Sequence, residues 1–254
     1  MSKINQLWRF FGTALCFFSF GVGGLFLAFI FFPVVNWLVS NEEKRKAIAQ
    51  VTIRQAFRFF VAMMKALGVI GVKVEGREIL EQDQGCIVVA NHPTLIDYVL
   101  ITSLLPKCDC IVKRAMWDNP FTKGAITAAG YIDNSDTSDM LSKCDSVLKK
   151  GNVLLVFPEG TRTVPGEKLQ LKRGASQIAV RSRCDLRLIH ISCTPTFLAK
   201  NEKWYRIPHE KPFLLVQVME KVSIENFVAA SSSDSIAARR LTEYLSKSLA
   251  PIAF

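Results

Sequence analysis

Two short stretches of the chain combine residue types that could do chemistry together. In Asn91-His92-Pro93-Thr94-Leu95-Ile96-Asp97 a histidine and an aspartate stand five positions apart. Across a turn and a helix start, that spacing lets the carboxylate reach back and hold one imidazole nitrogen while the other faces a substrate. An imidazole oriented in this way is a general base poised near neutral pH, worth about 10²–10⁴-fold in rate. Pro93 biases His92 away from helical dihedrals and so keeps it on the loop. In Phe157-Pro158-Glu159-Gly160-Thr161-Arg162-Thr163, Glu159, Thr161 and Arg162 surround Gly160. Their order suits a polar headgroup: arginine for an anion, glutamate for a hydroxyl or amine, glycine for close backbone approach. Taken alone, each stretch has a plain structural explanation, as a satisfied histidine or as a turn held by an Arg–Glu pair. Together, each directly following a buried strand, they point to a site.

The elements that must position them are short β-branched runs alternating with helical stretches. Strands are expected at Val72–Val74, Cys86–Ala90, Cys110–Val112, Val153–Phe157, Leu188–Ser192 and Phe213–Val218. Helices are expected at Ile96–Leu105, Phe121–Ala129, Thr137–Lys149, Ala175–Arg183 and Ser235–Ser248, the last capped from Ser231-Ser232-Ser233. This alternation predicts an α/β fold with a largely parallel sheet covered by helices, in which sites gather beyond the carboxyl ends of strands. No internal repeat is present.

The division expected is a membrane-associated helical segment at 1–67 and a catalytic domain at 68–254. Of 254 residues half are hydrophobic, 32 are Lys or Arg and 22 are Asp or Glu, a net charge of +10. A mean hydropathy of +0.23 excludes a disordered chain. Between Phe10 and Ser40 there is no charged residue, a run longer than the roughly 20 apolar residues that cross a bilayer. Gly21, Gly23, Gly24 and Pro33 leave room for either a span or a re-entrant hairpin. The heavier basic flank (Lys44, Arg45, Lys46, Arg54, Arg58) places the catalytic side in the cytoplasm. From Lys44 to Leu67 a helix is expected with a basic edge and an apolar stripe of Ile53, Phe57, Phe60 and Met64. That stripe fits either the headgroup layer or a protein core.

The two stretches resemble the Asn-His-x-x-x-x-Asp and Phe-Pro-Glu-Gly-Thr-Arg blocks of the glycerolipid acyltransferases. Their order and separation are similar to those of bacterial 1-acyl-glycerol-3-phosphate acyltransferases, and the resemblance runs from about Val72 to Val218. It implies transfer of a fatty acyl group from a thioester of coenzyme A or acyl carrier protein to a lipid hydroxyl, at the bacterial inner membrane and with no cofactor beyond the co-substrate. By that resemblance His92 deprotonates the acceptor and Asp97 orients and charge-stabilises His92. Glu159, Gly160, Thr161 and Arg162 then hold the headgroup of a lyso-lipid acceptor. Where phosphate-acceptor members carry an arginine after Ile-Asp, this chain has Asn134 in Ile132-Asp133-Asn134. Lysophosphatidic acid, another lysophospholipid, a non-phosphate lyso-lipid and a specialised hydroxylated product therefore all stand as acceptors, with Lys113 or Arg114 as the compensating cation for a phosphate. Basic residues including Lys168, Lys172 and Arg173 suit anionic lipid, coenzyme A phosphates or an acidic carrier protein, or form a solvated face.

Other classes fare worse. A nucleic-acid partner is not expected, because the basic clusters lack interleaved aromatic residues. A hydrolase would need a Gly-x-Ser-x-Gly elbow, which is missing. A non-enzymatic membrane scaffold has no chemical need for the set His92, Asp97, Glu159 and Arg162. Seven scattered cysteines and three histidines offer no zinc spacing, so no metal is expected.

Overall fold

From Ile87 to Ala90 every side chain is apolar and fully buried, as required of a strand covered by helices on both faces. In the computed structural model, which describes residues 3–250, this strand is at the centre of a seven-stranded sheet. The chain begins with α1 (Lys3–Phe26), a π-helical turn (Leu27–Phe31), α2 (Phe32–Leu38) and α3 (Glu42–Ala66). There follow β1 (Gly71–Glu75), α4 (Arg77–Gln82), β2 (Ile87–Ala90), α5 (Asp97–Leu104), β3 (Asp109–Val112), α6 (Arg114–Asp118), α7 (Pro120–Ala129), β4 (Ile132–Asp133) and α8 (Thr137–Lys149). The last are β5 (Leu154–Val156), α9 (Gly174–Ser182), β6 (Leu186–Thr194), β7 (Phe213–Val222), α10 (Glu225–Ala229) and α11 (Asp234–Ser248).

The strand order is β1-β7-β6-β2-β5-β3-β4, and every pairing is parallel except that of β6 with β7. The largely parallel α/β sheet expected from the alternation is what forms. Register places Val89 beside both Val156 and Leu188, and Val112 beside Asp133. The carboxyl ends of β2, β5, β3, β4 and β6 therefore open on one edge, and the loops that leave them form one surface.

The apolar N-terminus makes no hairpin. Lys3 to Leu38 runs as one rod of 36 residues, about 54 Å at the α-helical rise. One stripe of it faces the body: Arg9, Gly12, Thr13 and Cys16 from α1, Ala28 from the turn, and Phe32 and Val35 from α2. The Arg9 guanidinium is buried and donates to the carbonyls of Glu210 (2.6 Å) and His209 (2.7 Å), which offsets part of the cost of burying its charge. Further along, Gly124 of α7 approaches the rod so closely that a Cβ there would meet the Ala28 carbonyl at 3.2 Å. The opposite stripe, with Leu7, Phe11, Leu15, Phe18, Leu25 and Phe29, is exposed.

α3 is capped by Asn41, whose Oδ1 accepts from the Lys44 N–H at 2.9 Å. Its apolar stripe is spent on the body: Ile53, Phe60 and Met64 are buried, and Phe60 and Met64 share one core with β2, β5 and β6. Beneath α3 lies a polar knot. Asp109, fully buried at the start of β3, takes the Lys46 ammonium on Oδ1 at 2.7 Å and the Asn152 amide on Oδ2 at 2.9 Å, with the Gln50 amide at 3.4 Å.

Candidate active site

β2 ends at Ala90, and the next seven residues are held by a dense set of local bonds. Asn91 mimics a strand residue: its side-chain amide donates to the Ile191 carbonyl (2.8 Å) and its Oδ1 accepts from the Ile191 N–H (2.6 Å). This fastens the exit of β2 to β6. Asp97 is the first residue of α5 and is wholly buried. Its Oδ2 accepts from the Thr94 N–H at 2.6 Å and lies 2.9 Å from His92 Nδ1, while Oδ1 takes the Thr94 hydroxyl. An ionised carboxylate only accepts, so Nδ1 carries the proton and Nε2 is left as the basic nitrogen. Burial pushes the Asp97 carboxyl above the usual aspartate range, and the bonds from His92 and Thr94 pull it back. The start of α5 adds the favourable end of a helix dipole.

The neighbouring strand supplies the second wall. Phe157 stacks on the His92 imidazole with ring centroids 4.4 Å apart. Glu159 is 5% exposed; Oε1 accepts the His92 N–H at 2.7 Å and Oε2 accepts the Thr163 hydroxyl. The Thr163 N–H closes the circle on the His92 carbonyl at 3.3 Å. Both oxygens of Glu159 are thus occupied by the protein itself. Burial raises its carboxyl above the usual glutamate range, opposed by these bonds. Gly160 takes φ +69°, a left-handed conformation that lets the loop turn back. Thr161 is exposed, and the Arg162 guanidinium donates through Nη1 to the carbonyls of Leu198 and Ala199, both at 3.1 Å. Leu198 also accepts the Leu95 N–H at 2.9 Å. The segment after β6 therefore binds both signature loops together.

The remaining sequence-flagged residues lie along the same edge. Lys113 follows β3 directly and is exposed, with no ion pair among the described residues. Asn134 follows β4, and its Oδ1 accepts the Arg114 N–H at 3.2 Å at the start of α6. The Arg114 guanidinium is committed to Asp133 at 2.9 Å and Asp118 at 3.4 Å, which leaves Lys113 as the free cation of that pair. At about 4.8 Å per strand, Lys113 leaves the sheet two strand spacings from His92. Sequence reasoning assigned no role to Asn91, Thr94, Phe157, Thr163 or Leu198. All but Leu198 lie inside the two quoted stretches, and small hydroxyl or amide residues beside a catalytic pair were the available signal.

Comparison with known proteins gives a consistent result. The model of a family described as Acyltransferase matches residues 71–195. The mouse protein 1-acyl-sn-glycerol-3-phosphate acyltransferase alpha is 31% identical over 208 residues, covering 79% of this chain and 69% of that protein. The 1-acyl-sn-glycerol-3-phosphate acyltransferase of Helicobacter pylori is 30% identical over 178 residues, covering 66% of this chain and 72% of that one. Among solved structures, the crystal structure of the 1-acyl-sn-glycerophosphate acyltransferase PlsC from Thermotoga maritima superposes with a TM-score of 0.70 at 23% identity, over 98% of this chain and 96% of that chain.

Proposed function

The chain belongs to the acyltransferase family, and from that premise we propose that it transfers a fatty acyl group from an acyl thioester to the free hydroxyl of 1-acyl-glycerol-3-phosphate. The observation that carries the mechanism is the His92–Asp97 pair, held at 2.9 Å at the carboxyl end of β2 with Nε2 unoccupied. In the step proposed, Nε2 takes the acceptor hydroxyl proton as its oxygen attacks the thioester carbonyl. The carbon–sulfur bond then breaks, and the departing thiolate takes the proton back from the imidazolium. Asp97 keeps the imidazole in one tautomer and stabilises its charge in the dry floor of the site. A thioester is itself acylating, so the residues need no cofactor beyond the donor, coenzyme A or acyl carrier protein.

The substrate in the relatives' names supports a phosphate-bearing acceptor over a neutral one, and Lys113 together with the free Nε and Nη2 of Arg162 would receive that phosphate. Glu159 acts differently from Arg162 in this scheme: with both oxygens bound inside the protein, it positions His92. Glu159→Gln is expected to lower kcat about 10- to 100-fold, the worth of one hydrogen bond to a charged group, with KM for the acceptor changed less than about threefold. Steady-state kinetics check this, and a rise in KM at constant kcat would make Glu159 a headgroup ligand instead.

The family and the exposed apolar face of the rod support membrane association. With both ends of the rod packed on the body, through residues 9–16 and 28–35, and residues 21–26 exposed between them, the rod fits a position along the interface rather than through it. Exposed Trp8, Trp37, Trp204 and Tyr205 are the residue types that anchor at that depth. The basic flank after Ser40 supports a cytoplasmic body. The test of the whole reading is thiol release from acyl-coenzyme A and acyl-carrier thioesters by detergent-purified protein, against 1-acyl-glycerol-3-phosphate, other lysophospholipids and monoacylglycerol. Release that depends on 1-acyl-glycerol-3-phosphate is expected; release only with a neutral acceptor, or none, overturns the proposal.

A further inference from the structure

Lys172 is a cation at the mouth of the second signature loop that no carboxylate among the described residues neutralises. Its backbone N–H donates to the Pro158 carbonyl at 2.7 Å, which fixes the base of the side chain to the start of the loop. From there the stem lies flat across Gly160. A Cβ added to Gly160 would stand 3.0 Å from Lys172 Nζ, 3.1 Å from Cε and 3.2 Å from Cδ. Gly160 therefore serves two ends at once, the left-handed turn and a bed for this lysine. Lys172 is exposed and has no ion-pair partner among the described residues. The carboxylate of the same loop, Glu159, is directed at His92 and Thr163 instead. Arg162, two residues past Gly160, bonds to the described residues through Nη1 alone.

We propose that Lys172 is a phosphate ligand of the substrate complex, presenting its ammonium over Gly160 to a phosphate that Arg162 meets from the other side. A lysine head is a compact point charge with three donors, suited to a phosphate oxygen without the planar geometry that arginine demands. Phosphate comes to this site from two substrates under the acyl-transfer reading on which the inference rests: the acceptor's monoester and the phosphates of the donor. The Asn134 position offers no guanidinium to the first of these, and Arg114 is already paired, so a further cation at the loop after β5, the strand between β2 and β3, has a charge to meet.

The test separates charge from packing. Lys172→Met keeps an unbranched stem over Gly160 and removes the ammonium; Lys172→Arg keeps the charge. Binding of 1-oleoyl-glycerol-3-phosphate and of coenzyme A to full-length protein in detergent is read by titration calorimetry, which needs no turnover. Loss of one charge-assisted hydrogen bond is expected to weaken binding about 10- to 100-fold. In Lys172→Met that loss should fall on one of the two ligands, with binding of 1-oleoylglycerol unchanged and Lys172→Arg recovering most of the affinity. Weakened lyso-lipid binding assigns the lysine to the acceptor phosphate, and weakened coenzyme A binding assigns it to the donor. Unchanged binding of both overturns the inference. Binding that depends on Lys172 in a wild type that releases no thiol would leave this inference standing and remove the acyl-transfer reading.

Discussion

His92→Ala is expected to lower kcat by about 10²–10⁴-fold, the usual worth of a positioned general base, while the fold survives. The reason lies in what the imidazole does and does not support. Its side chain is 19% exposed at the mouth of the site, so removal opens no large void in the core. Asp97 keeps two donors from Thr94 after the ring is gone, so the buried carboxylate is not stranded. The backbone bond from the His92 N–H to Glu159 also persists, because alanine has the same amide. Thiol release should therefore collapse with little change in the melting temperature, and KM for the acceptor should stay within a few-fold. A variant that releases thiol at the wild-type rate would sink the assignment of His92 as base.

The second large effect is expected far from the chemistry. Asp109→Ala should destabilise the protein by about 3–5 kcal/mol, because it strands the partly buried Lys46 ammonium against apolar surroundings. At about 2–4 °C of melting temperature per kcal/mol for a chain of this size, that is a fall of roughly 6–20 °C in a thermal melt. Asn152 loses its acceptor at the same time, and Gln50 keeps only the Ala129 carbonyl. Lys46 and Gln50 belong to α3 and Asp109 to the sheet, so the knot is a polar rivet between the amphipathic helix and the first residue of β3. A loss below about 1 kcal/mol would show that Lys46 escapes to solvent and that the knot holds little.

Much of this architecture could be read from residue patterns, and the failures have physical causes. α8 begins at Thr137 and ends at Lys149 as expected, and Ser233, within the serine run expected to cap it, caps α11. β4 has two residues and α6 and α10 five each, too short for any hydrophobic period to emerge. The antiparallel β6–β7 pair was equally hidden, since strand direction is decided by a long connection and not by the strands' own residues. In the site, His92 and Asp97 were visible because their spacing alone brings them together. The tie from Glu159 to the His92 amide was not, because it depends on β2 and β5 being neighbours, a fact of sheet order that no local pattern carries. Phe57 and Phe60 illustrate the limits of amphipathicity: the stripe is real, but whether it meets lipid or protein depends on what packs against it.

The π-helical turn at Leu27–Phe31, where the Phe32 N–H reaches back to the Leu27 carbonyl, works as a register correction. At about 100° per residue, the nineteen steps from Thr13 to Phe32 along an unbroken α-helix would overshoot a common face by about 100°, one residue's worth. The wider turn absorbs that one residue, and both halves of the rod press on the same body. Length changes here are therefore asymmetric. A deletion of one residue between Cys16 and Phe32 can be taken up by the turn reverting to regular helix, with both buried stripes still aligned. An insertion of one residue has no such reserve and would swing the Phe32–Val35 half away from α7.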